Sequence, residues 1–140
     1  MLLNSLPLLG VLTAALIVSG VQDWRSREVS NWITIPLFIA GWAACIWRLS
    51  TDLFGGAAMI ILMLILTAIA WVGWMGGADW KVLVGLFGLW PLAGFASLVV
   101  AGAWGLVEVI RTHDRRACIP AVTAFALATV LMFIVRLGFG

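Results

Sequence analysis

At 140 residues, 64% hydrophobic and only 10% charged, the chain holds more apolar surface than a soluble domain of its size has interior to hide. Its net charge of +2 is too small to suggest nucleic acid as a partner. Cys45, Cys118 and His113 are the only residues of their types, which supplies no metal-ligand cluster and points to no cofactor.

Several apolar runs approach or exceed the roughly 18 residues that cross a bilayer's hydrocarbon core. The expectation is an all-α, polytopic membrane protein, a single membrane-embedded domain over residues 1–140, with the lipid bilayer as its surroundings. The runs fall at residues 2–21, 32–47, 53–74, 82–90, 92–110 and 118–135. The first lacks the positively charged start of a signal peptide and its apolar run is too long, so it reads as a retained span. Cys45 lies within the second run, where it packs as a small hydrophobe.

After the first span comes "DWRSREVSNW", residues 23–32. Arg25 and Arg27 read equally well as interfacial anchors of a hydrated loop or as members of a site. Asp23 is harder to dismiss, because a carboxylate at a helix C-terminus faces the negative end of the dipole.

Residues 79–110 would make one helix of about 48 Å, against a core of about 30 Å. Pro91 lies within it, which favours a break and hence a short fourth helix. Charge supports the same division. With six transmembrane helices and the N-terminus outside, Arg25, Arg27, Lys81, Arg111, Arg115 and Arg116 face the cytoplasm, and only Arg48 and Arg136 lie outside. The same topology puts Asp23 and Asp79 on one side and Asp52 on the other. A span of about ten residues reaches only about 15 Å, so a water-accessible pocket is expected near the cytoplasmic surface.

Ahead of that helix stands "GGADWK", residues 76–81. Taken alone, Asp79 reads as a helix N-cap, Gly76 and Gly77 as turn residues and Lys81 as a snorkelling anchor. Two aspartates at the ends of two spans, on one side, in a chain with six acidic residues, point instead to a site. In "RTHDRRACIPA", residues 111–121, the pair His113 and Asp114 reads as a solvated loop. Glu108 is placed to pair with a loop arginine, and Pro120 to open the last helix. Trp32, Trp47, Trp74, Trp80 and Trp90 fall near span ends, where indole rings prefer to sit.

Together these residues resemble a known family. Asp23-x-Arg25-x-Arg27-x-Val29-x-Asn31 resembles the first signature of the type IV prepilin peptidases and archaeal preflagellin peptidases. "GGADWKVL" resembles their Gly-x-Gly-Asp-x-Lys-Leu signature, with Ala78 and Val82 as departures, and "IPAVTAFALA" looks like their third, apolar motif. The resemblance implies an aspartic endopeptidase with Asp23 and Asp79 catalytic. Gly76, Gly77, Lys81, Arg25, Arg27, Asn31 and Pro120 would support catalysis or bind substrate. It further implies removal of a short basic leader from prepilins or pseudopilins, partners that present a hydrophobic helix, at the cytoplasmic face of the inner membrane. Longer members also methylate the new N-terminus; this sequence is expected in the short, peptidase-only branch. A small ion- or proton-coupled transporter and a non-catalytic assembly subunit are the alternatives. On helix dipoles alone, Asp79 is expected to be the ionised base and Asp23 the proton holder.

Overall fold

The computed structural model describes residues 5–73, 75–113 and 120–139. It contains six helices in chain order: α1 (Leu6–Ser26), α2 (Asn31–Thr51), α3 (Leu53–Trp71), α4 (Gly77–Leu89), α5 (Pro91–Thr112) and α6 (Ala121–Phe139). Five of them are long and apolar enough to cross a membrane, so this is a multi-pass, all-helical membrane protein. Trp74, Asp114, Arg115, Arg116 and Cys118 lie outside the described residues.

The fourth helix is the short one, as expected, but it begins five residues earlier than the apolar run. Its 13 residues span about 20 Å, still well under the core thickness. It is apolar on every side from Val82 to Gly88, and each of those residues is buried. A helix with no polar face belongs in an interior, and α4 is the axis of the molecule. Its end is set by Pro91, the first residue of α5, which has no N–H to continue the ladder. Phe87 and Phe95 then meet edge-to-face at 4.9 Å across the corner. Trp90, expected at an interface, is buried in that corner at 4% exposure. Trp80 likewise packs edge-on against Phe38 at 4.9 Å rather than facing the interface.

Around this axis α2 packs chiefly on α4 and α3, while α1 and α5 pack on α6. The α2–α4 crossing is close because glycines meet there. A Cβ on Gly41 would stand 2.6 Å from the Gly85 Cα, and one on Gly88 would collide with the Gly41 backbone. Small residues at such crossings let dispersion contacts replace the hydrophobic effect that lipid cannot provide. Cys45 is fully buried among these apolar side chains.

Successive helices alternate in direction. The last turn of α1 therefore meets the first turn of α6, and the first turns of α2 and α4 stand side by side. Asp52 caps α3 at the other end of the bundle, accepting the Gly55 N–H at 3.0 Å. All the polar residues singled out in the first and fourth helices thus gather at one end.

Candidate active site

Helix α1 continues past the apolar run, so Asp23 lies within its last turn and is buried at 7% exposure. Arg27 terminates the helix in the left-handed region (φ 55°), its N–H donating to the Asp23 carbonyl at 3.0 Å. The start of α6 covers the Asp23 side chain. The Thr123 N–H donates to Asp23 Oδ2 at 3.3 Å, and the Thr123 hydroxyl donates to the Gly20 carbonyl at 2.8 Å. The first N–H groups of a helix have no partner within it and sit at the positive end of its dipole. Asp23 therefore closes one helix and caps another, so the dipole of its own helix is only half of its electrostatic setting.

Asp79 is the third residue of α4, and Gly76 occupies the N-cap. The N-cap reading of Asp79 is thus corrected. Its side chain turns back to the Gly76 N–H, as the third residue of a capping box does. Burial is the main force on this carboxyl, the charge of Asp23 the second, and together they push it up to about 6 despite the Gly76 N–H. Asp79 precedes the apolar run at 82–90 and stands half-buried at the polar end of the bundle. Two carboxyls from α1 and α4, 56 residues apart in sequence, are close enough for one to feel the other's charge. Burial and the Asp23 charge thus favour the protonated form of Asp79, against the dipole-based expectation that it carries the negative charge.

Lys81 pairs with neither aspartate in the described structure. Its Nζ donates to Asn31 Oδ1 at 3.2 Å, and the Thr34 hydroxyl donates to the same oxygen at 3.5 Å. The lysine therefore ties the first turn of α4 to that of α2, whose own N-cap is Ser30. Arg25 is exposed and borders an apolar cleft with Trp24 and Thr123 beside the buried Asp23. Pro120 is buried just ahead of α6 rather than in its first turn, and its carbonyl accepts the Ala124 N–H at 3.2 Å.

The two glycines differ. A Cβ at Gly76 would lie 2.7 Å from Asp79 Oδ2, whereas one at Gly77 would meet nothing within 4 Å. Gly76→Ala is expected to displace the carboxyl and lower activity about tenfold. Gly77→Ala, in a helical first turn, should stay within about twofold of wild type. Initial rates on one substrate separate the two, and equal losses would contradict the steric account.

The family-specific signal covers most of these residues. A model of the type IV leader peptidase family matches residues 10–106, more than half of the chain. The chain belongs to that family. No curated protein and no solved structure is significantly similar to it. Membership makes this leader peptidase homologue a peptidase in its general function. The matched residues include Asp23, Asn31, Asp79 and Lys81 but end before α6. Thr123 and Gly20, which position Asp23, are the residues sequence reasoning missed. The only sequence signal was a threonine in the opening turn of a mostly apolar helix. Gln22 was missed as well: its Oε1 accepts the Ser30 N–H at 3.3 Å and folds the loop back onto α1.

Proposed function

We propose that the chain is an aspartic endopeptidase that removes the basic leader of prepilins or pilin-like proteins at the cytoplasmic face of the membrane. The observation that carries this reading is the meeting of Asp23 and Asp79 at one end of a membrane bundle, with Asp79 held towards its protonated form. The bias of Arg25, Arg27, Lys81 and Arg111 to that same end supports a cytoplasmic orientation with the N-terminus outside.

Asp23, beside the N–H groups that open α6, acts as the base and takes a proton from a water molecule. The resulting hydroxide attacks the scissile carbonyl. Asp79 donates its proton to the carbonyl oxygen, giving a neutral tetrahedral diol. Collapse transfers a proton to the leaving amine, breaks the C–N bond and restores the shared proton. The pair titrates as a unit, so the two roles belong to the loaded state of the couple. The Lys81–Asn31 bridge sets the position of α4's first turn, and with it Asp79. The short α4 keeps this chemistry towards the membrane surface instead of at mid-bilayer.

The test is co-expression with a membrane-anchored reporter that carries a basic, glycine-terminated leader. Cleavage is read as a size shift, with the new N-terminus sequenced. A shift at the leader junction supports the reading, and an intact reporter in the presence of well-folded enzyme rejects it.

A further inference from the structure

Among the described residues, exposed cationic side chains outnumber exposed acidic ones at the end of the bundle that holds the aspartates. Arg25, Arg27 and Arg111 are exposed there, with Lys81 half-buried. Any peptide cut at Asp23 and Asp79 must lay its non-membrane part across these helix ends. A segment on the cytoplasmic side of a membrane-anchored substrate is, as a rule, rich in Lys and Arg. Such a leader would meet like charge on arrival, and like charge juxtaposed across an interface costs binding.

One group offsets this. Among the described residues, Glu28 is the exposed carboxylate at this end of the bundle: Asp23 is buried, Asp79 and Glu108 are half-buried, and Asp52 caps the other end. Glu28 is five residues beyond Asp23, on the segment that joins α1 to α2. Its N–H donates to the Ser26 hydroxyl at 3.4 Å, and that hydroxyl's single proton is shared between the Gln22 carbonyl at 2.9 Å and the Glu28 carbonyl at 3.1 Å. The loop is pinned on its other side by Gln22 through Ser30. Gln22, Ser26, Glu28, Val29 and Ser30 line a shallow, mostly polar recess. The carboxylate itself has no side-chain partner among the described residues, although Arg25 and Arg27 precede it in sequence. A fixed backbone with an uncommitted acid, beside a cationic surface, is a receptor for a cation brought from outside.

We propose that Glu28 is the specificity-determining residue that binds a Lys or Arg of the leader and draws the cut site over the aspartates. The proposal rests on the peptidase reading and adds to it the means of choosing a substrate. Because the pair is exposed, its strength is modest and screened by salt.

The experiment uses purified enzyme in detergent and three reporters that differ only in leader charge: Lys/Arg, Gln or Glu at the same positions. Glu28→Gln should raise KM for the cationic leader about three- to fivefold, leave kcat unchanged and leave the neutral leader unaffected. Glu28→Lys should raise KM for the cationic leader further and lower it for the acidic one. The cationic preference of the wild type should shrink as salt is added. If Glu28→Gln keeps the full wild-type preference, or the wild type shows none, the role of Glu28 is overturned while the peptidase reading stands. If the wild type cuts no reporter of any charge, the peptidase reading itself fails.

Discussion

Asp79→Asn and Asp23→Asn are each expected to lower leader cleavage about a thousandfold while leaving the six helices intact. Each substitution removes one of two groups that must move a proton, and a positioned acid or base contributes about 10²–10⁴ in rate. The fold should not notice. Asparagine accepts an N–H much as aspartate does, so the contacts with Gly76 and Thr123 survive. Helicity by circular dichroism and elution from a sizing column should match wild type in both variants. An assembly subunit in which Asp79 only supports a helix start would instead keep its function in Asp79→Asn. An ion-coupled carrier would lose transport without ever having cut a reporter. Wild-type cleavage rates in either variant would remove the two-carboxyl mechanism.

Cleavage is also expected to fall as pH rises through about 6, by roughly tenfold per unit at the upper limb. The direction follows from the raised Asp79 carboxyl, which must hold its proton to polarise the carbonyl. Below that point the rate should level off. Stability carries the same sign. Asp79 is raised in the folded state above its ordinary value of 3.8, so its contribution is fully present below that pH and is lost as pH passes about 6. This is the reverse of a carboxylate held in an ion pair. Asp79→Asn should therefore melt higher than wild type above pH 6 and differ little near pH 4. Single-turnover rates and thermal melts across pH 4 to 8 measure both. A rate that keeps climbing above pH 7 would show that Asp79 works ionised.

Much of the architecture was legible because the bilayer makes severe demands on sequence. Apolar runs of fixed length and the break at Pro91 are local properties, and the structure has helices where those runs stand. Boundaries were less legible. Helices α1 and α4 both continue into polar sequence, since a helix ends where its capping interactions are and not where hydrophobicity stops. That difference moved Asp23 and Asp79 from the expected helix ends into the last turn of α1 and the first turn of α4. Trp80 and Trp90 were misplaced for a related reason: an indole near a span end faces lipid or core according to which helix lies alongside.

By itself the sequence determined that the chain crosses a membrane, that its fourth helix is short, and that Asp23 and Asp79 belong to one side. Those properties rest on composition, helix length and charge placement, which each segment carries alone. Only the tertiary structure supplied the surroundings that bias the proton towards Asp79. The dipole of α1 disfavours charge on Asp23, but the opening turn of α6, a hundred residues away, brings an N–H to it. Burial against neighbouring helices, meanwhile, raises Asp79. Electrostatic energy sums over every group nearby in space, and proximity between distant segments is created only by folding.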